Sequence, residues 1–271
     1  MNIHATIFKP SNLSRALAVL TLTGAGASAV ALPSFTLNPA SAGLAGTAFT
    51  ADNILISDFS TVTLTGTTFT DVGFLNVSGF QLGGSTLVPA GLNSGYGLYI
   101  AFSGAGTTST GNLGTTPTFG SFTTLNYTLF GYNGPASFGF TGNTPTESAA
   151  NEIVLGTGSL VPGTGTVSTS PAGGGLFTPS AAATLTFTAA ANQSGFFSAP
   201  TPFFNTAFAA FTNTVSQVEA FDGGFRIRQG GGAFNFAQTV TPIPEPETYA
   251  LMLAGLVGLG AIRSASRRRR G

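Results

Sequence analysis

From residue 53 onward the chain repeats one pattern: short apolar runs, alternating with Thr, Ser or Asn, are broken by clusters of Gly, Pro, Asn and Ser. Residues 184–188 are the plainest case. They read Thr-Leu-Thr-Phe-Thr, and a period of two places Leu185 and Phe187 on one face and three threonines on the other. The pattern predicts strands over 53–57, 61–65, 73–82, 97–103, 121–131, 136–141, 152–160, 183–189, 225–229 and 234–240. Phe122, Leu125, Tyr127 and Leu129 skip one beat of the alternation, as a strand with a bulge does. No stretch of the body carries a long 3.6-residue period with caps. Residues 206–218 hold a helical turn or two at most, through Ala207, Phe208, Ala210 and Phe211, and their β-branched residues oppose even that. Residues 104–117, 143–150 and 162–175 read as loops, being rich in Gly, Thr, Ser and Pro. With no fixed internal period, the expectation is one all-β domain, a β-sandwich or jelly-roll-like fold with less than about a tenth of its residues helical.

The two ends depart from this pattern. Residues 1–15 carry Lys9 and Arg15 and no acid, 16–30 are apolar and small, and Ala29-Val30-Ala31 fits the small-x-small cleavage rule. That is the layout of a secretory signal peptide, with Leu32 as the new N-terminus. At the other end Pro244, Glu245 and Pro246 precede an apolar stretch over 249–262, and Arg263, Arg267, Arg268, Arg269 and Arg270 follow it. The prolines fix φ and lack a backbone N–H, so the chain is extended where it leaves the body. Leu251, Leu253, Leu256, Val257 and Leu259 suit a short hydrophobic helix. Its 14 residues make about 21 Å, against a hydrocarbon core of about 30 Å. The arginines stop transfer and stay on the cytoplasmic side. The sequence therefore divides into a signal peptide (1–31), a β-rich extracellular body (32–243) and a C-terminal segment (244–271). That last segment reads as a temporary hold in the membrane, with an ordinary tail anchor as the alternative.

Composition changes the picture in two ways. The formal charge of the whole chain is zero, but Lys9, Arg15 and the five C-terminal arginines lie in the two ends. The body keeps Arg226 and Arg228 against seven acids, a net charge of −5. A weakly acidic body offers no electrostatic reason to bind nucleic acid. There is no cysteine, so an exported body folds without disulfides.

Candidate chemistry is sparse. The single histidine is His4, in the signal peptide, and the body has neither His nor Cys. Ser-His-Asp and Cys-His catalysis and the usual zinc sites are therefore excluded, and no catalytic residue, metal site or cofactor is expected. Carboxylate pairs are open on residue type alone: Asp58 with Asp71, Glu147 with Glu152, or Glu219 with Asp222. The favoured reading is that all six are solvated charges or turn residues. Glu219, Asp222, Arg226 and Arg228 sit within ten residues of one another and include every positive charge of the body. Asp222-Gly223-Gly224 signals a turn, after which Arg226 and Arg228 share one strand face. The cluster is an ion-paired hairpin or, through guanidinium forks suited to acidic sugars, a glycan contact. Phe196, Phe197, Phe203, Phe204, Phe208 and Phe211 form the densest apolar region, read as core, with a self-association patch as the alternative.

The C-terminal order of parts resembles the PEP-CTERM sorting signal of Gram-negative bacteria, carried by Pro244, Glu245 and Pro246, then Glu247 through Leu256, and the arginine block. The resemblance implies processing by an exosortase, a membrane-embedded cysteine protease, after transient insertion in the inner membrane, and delivery to the cell surface or extracellular matrix. Runs in the body, Phe49-Thr50-Ala51-Asp52-Asn53-Ile54, residues 79–84, residues 91–99 and residues 230–236, resemble the flocculation-associated branch of that group. This implies a non-enzymatic surface or matrix protein that promotes cell aggregation with exopolysaccharide. A soluble carbohydrate-binding module and a carboxylate-dependent glycoside hydrolase remain as alternatives.

Overall fold

The computed structural model describes residues 31–109 and 111–237. The expected signal peptide and C-terminal hydrophobic helix lie outside those residues. The strands run β1 (Phe35–Leu37), β2 (Phe49–Ala51), β3 (Asn53–Thr65), β4 (Thr68–Leu82), β5 (Ser85–Leu87), β6 (Tyr96–Thr108), β7 (Thr118–Asn133), β8 (Phe138–Thr141) and β9 (Thr144–Glu147). They continue with β10 (Ile153–Ser159), β11 (Thr166–Gly173), β12 (Leu176–Thr186), β13 (Thr188–Ala189), β14 (Phe197–Ala199), β15 (Thr206–Thr212), β16 (Val218–Phe221) and β17 (Gly224–Ala237). Among the described residues the helical segments are three short 3-10 turns, and no helix is long and apolar enough to cross a membrane. The all-β expectation holds.

Twelve strands form one antiparallel sheet, ordered β11-β12-β15-β17-β3-β4-β6-β7-β10-β13 with β5 and β16 at its margins. The sheet returns on itself, because β11 also pairs β7 through Val167, Ser168 and Thr169 against Gly120, Phe119 and Thr118. The two faces of the sandwich are thus two sides of one closed sheet of eight strands. Closure leaves no long unpaired edge in this sheet, the feature that exposes open sheets to edge-to-edge aggregation. The seam carries a buried hydroxyl pair, Thr118 Oγ1 to Thr169 Oγ1 at 2.7 Å. Across the interior Tyr127 of β7 meets Phe234 of β17 at 5.7 Å, and Phe177 of β12 meets Phe225 at 5.1 Å, both edge to face.

One end of this closed sheet is plugged. The small sheet β14-β1-β2 lies there with its own aromatic cluster. Phe35 packs on Phe236 at 5.2 Å, Phe49 on Phe80 at 4.6 Å, and Phe187, Phe197, Phe203 and Phe236 pack on one another. The phenylalanine-rich stretch is therefore core, as expected: Phe196, Phe197 and Phe204 are buried and Phe203 packs against them. Phe208 is the exception and points outward, 42% exposed.

Several local expectations are corrected. Residues 206–212 form the strand β15, not a helical turn. Ala207 and Ala209 face the core and Phe208 does not, a period of two imposed by β12 on one side and β17 on the other. Stretches 143–150 and 162–175, read as loops, contain β9 and β11. Both are poor in apolar residues because neighbouring strands supply their pairing. Segments 53–57 and 61–65 are one strand, since Asp58 and Ser60 occupy inward positions that interrupt the apolar pattern without interrupting the pairing. The bulge in β7 is real: Ala105 faces Thr124 and Gly106 faces Phe122, leaving Thr123 extra.

Candidate functional site

The outward face of β6, β7, β10 and β12–β13 presents short polar side chains in two parallel rungs. Cross-strand pairing aligns Ser103 with Asn126 and Asn126 with Ser159, and Ser159 Oγ lies 3.2 Å from Thr186 Oγ1. The next rung is Ala101, Thr128, Thr157 and Thr188. Strands about 4.8 Å apart make each rung about 14 Å long. The residues line one shallow groove, in which Ser103, Asn126, Thr157, Thr186 and Thr188 are exposed. None of them is charged. The groove can exchange hydrogen bonds with a polyhydroxylated surface, because hydroxyls and the Asn126 amide both donate and accept. Sequence reading named none of these residues as a site, although it placed Thr186 and Thr188 on an outward face. Their signal was the polar half of each alternating strand, which by itself says only that a face is wet.

The predicted cluster at β16–β17 forms around Glu219. The Arg226 Nη2 pairs with Glu219 Oε1, its Nε donates to Glu219 Oε2 at 3.0 Å, and Arg228 Nε donates to the same oxygen at 2.9 Å. Asp222 occupies the turn, and Gly223 takes the left-handed φ of +84° that a type II turn requires at its second central position. Arg226 and Arg228 share one face, as expected, and both lie over the Phe140 ring, at 5.6 and 5.2 Å. Arg226 also donates to the Gly142 carbonyl. Its side chain is 15% exposed, whereas that of Arg228 is 50% exposed. The cluster therefore fastens the β8–β9 hairpin onto the outside of the sheet. Beneath the hairpin Phe138 packs on Phe59 and Tyr99, and Thr61 Oγ1 donates to the Asn143 carbonyl at 2.5 Å. The two arginine bonds hold the Glu219 carboxyl below its ordinary range. Of the pair, Arg228 keeps a half-exposed face.

The other acids part company. Glu152 accepts from the Tyr99 hydroxyl, and Glu147 from the Ala149 N–H. Both are held locally, near the edge of the hairpin cluster. Burial, and secondarily the Glu152 bond, raise the Tyr99 hydroxyl far above its usual value. Asp58 and Asp71 are a correction to the expectation of solvated charges. They come from β3 and β4, face inward and line one cavity of about 150 Å³ at the unplugged end of the closed sheet. Asp58 is 5% exposed, and burial pushes its carboxyl up to about 7, while the nearby Ser60 hydroxyl acts in the opposite direction. Burial raises Asp71 as well, and the charge of Asp58 adds to it. A signal for Asp58 was present: it shares the parity of Ile54, Ile56, Val62 and Leu64.

The family model for the PEP-CTERM protein-sorting motif matches residues 242–270. That motif implies an exosortase-processed protein that is exported, held transiently at the membrane and then placed at the cell surface or outside the cell. No curated protein and no solved structure matches the chain.

Proposed function

We propose that a chain delivered by this sorting motif serves as a non-enzymatic surface or matrix protein, which promotes cell aggregation by holding exopolysaccharide on the outside of its sheet. The observation that carries the reading is the two-rung groove: eight aligned positions across β6, β7, β10, β12 and β13, seven of them hydroxyl or amide and none charged. Each hydrogen bond to a sugar contributes about 0.5–1.5 kcal/mol net, so one contact is weak. Many copies along a polymer hold firmly, because linked weak sites gain effective concentration. In this reading Arg226 is structural and Arg228 is the arginine left to meet an acidic sugar. The body spans 32–243, with the signal peptide and the segment from 244 onward removed on delivery.

The test is complementation. Cells lacking the gene are supplied with the wild-type protein or with a variant carrying Ser103→Ala, Asn126→Ala, Thr157→Ala and Thr188→Ala. Thr186 is spared because its Oγ1 accepts the Ser159 N–H at 2.9 Å. The wild type restores flocs, also in raised salt, since the groove's uncharged contacts are not screened and salt weakens only the contact at Arg228. The variant, secreted at the same level, restores them only in part. Full restoration by the variant refutes the groove as the adhesive face. A glycan array separates this reading from a soluble carbohydrate-binding module, which would show saturable binding to one isolated oligosaccharide.

A further inference from the structure

The cavity inside the closed sheet has features that adhesion does not use. Its walls are largely apolar, with Leu75, Ile100, Phe122, Leu185 and Phe234 among them. About 150 Å³ is the size of an engineered apolar cavity that takes up benzene. Into this wall two strands bring Asp58 and Asp71. Asp58 Oδ1, Asp71 Oδ1 and Ser60 Oγ are buried, and the single Ser60 hydroxyl that faces both carboxyls has one proton to donate and cannot satisfy two acids. Unpaired buried carboxyls are costly, and native structures seldom keep them without a use. No cation of the described residues can serve them. Arg226 and Arg228 belong to the outward face of β17, whereas Phe225 and Ile227 are the residues of that strand facing the cavity.

We propose that this cavity is a binding site for a small apolar amine, whose hydrocarbon part fills the apolar wall and whose ammonium sits between Asp58 and Asp71. An ammonium presents three donors and no acceptor, which matches an acceptor-rich head group formed by two carboxyls and a hydroxyl. It also supplies one countercharge, which balances an acid pair that shares a single proton and so carries one negative charge, and a buried ion pair of this kind needs its charges matched. The mouth lies between the Gly66 turn, the β6–β7 loop at Ser109 and Leu113, and β11 at Ser168. The loop is seated against the β11–β12 turn: a Cβ on Gly114 would lie 2.2 Å from the Gly175 carbonyl oxygen.

The groups facing the two acids are each other, Ser60 and, across the cavity, Tyr127, whose hydroxyl is committed to the Thr186 carbonyl. An ammonium with an ordinary value near about 10.4 stays charged where the acids lose their protons. Affinity therefore rises as pH passes about 7, the value to which burial carries Asp58.

The test uses the exported protein with hexylamine, hexanol and hexanoate as probes, followed by calorimetry and by thermal shift. Hexylamine binds, hexanol binds more weakly and hexanoate does not bind. Asp58→Asn with Asp71→Asn preserves shape, removes both charges, and weakens hexylamine at least about tenfold, which is 1.4 kcal/mol, while leaving hexanol unchanged. Ala183→Leu, at the cavity wall, blocks both probes. Should the double variant fail to fold, the wild-type order of the three probes and its rise with pH decide the matter. Equal binding of hexanoate and hexylamine, no binding of hexylamine at pH 8, or binding untouched by the double variant overturns the proposal.

Discussion

Gly158 shows how much of this molecule turns on the absence of one methyl group. It lies in β10 above the Tyr127 ring, and a Cβ there would be 2.4 Å from Tyr127 Cε1 and 2.0 Å from the Thr186 carbonyl oxygen. The gap lets Tyr127 pass beneath the strand and donate to the Thr186 carbonyl at 2.8 Å, tying β7 to β12 across β10. Gly158→Ala is expected to destabilise the fold by about 1–3 kcal/mol through overpacking. Tyr127→Phe loses the bond alone and costs about 0.5–1.5 kcal/mol. Urea unfolding of the two variants checks the order; an alanine variant as stable as wild type contradicts the close approach.

The β8–β9 hairpin is an element whose sequence does not explain its position. Its strands are four residues each, too short to persist alone. It stays on the sheet because Phe138 packs on Phe59 and Tyr99 while Arg226 reaches the Gly142 carbonyl from below. Arg226→Gln removes the ion pair, the ring contact with Phe140 and the carbonyl bond together. Amide exchange is expected to quicken over Phe138–Thr141 and Thr144–Glu147 while the closed sheet keeps its protection. Arg228→Gln, which loses its Glu219 bond and its own contact with the Phe140 ring at a half-exposed site but no bond to the hairpin backbone, changes exchange less. Equal effects of the two variants would contradict the clasp. The ion-paired hairpin expected from Glu219, Asp222 and the two arginines was legible because a Asp-Gly turn and a period of two are local. Of the hairpin it holds, the strand over 136–141 was legible, but β9 and the clasp were not, because Arg226 meets Gly142 across some eighty residues of chain.

For the whole molecule, the buried acid pair gives stability an unusual dependence on pH. Burial raises Asp58 from 3.8 to about 7, and Asp71 is raised too, so the folded state keeps protons that the unfolded chain releases near pH 4. Where the folded state binds more protons, stability falls as pH rises, by about 1.4 kcal/mol per pH unit for each proton. Thermal unfolding in the absence of amine is therefore expected to show stability declining between pH 4 and 7. Asp58→Asn with Asp71→Asn flattens that decline. A wild-type profile already flat over this window would show that the two carboxyls are solvated.

What the sequence by itself determined was whatever depends on neighbours in the chain. The period of two in Thr184–Thr188 placed Leu185 and Phe187 inside and the threonines outside, the skipped beat at Phe122–Leu125 marked a bulge, and the C-terminal order of Pro-Glu-Pro, apolar stretch and arginines marked the sorting motif. The tertiary structure decided everything that needs distant strands to meet. It turned residues 206–212 and 166–173 into strands, because pairing on both sides outweighs weak local preference. It closed the sheet where Thr118 meets Thr169, fifty-one residues apart, and so enclosed the cavity that Asp58 and Asp71 line, while the pairing of β6, β7, β10 and β13 made one groove of their wet faces. Periodicity assigns a side chain to a face, but only the register between strands decides which faces adjoin.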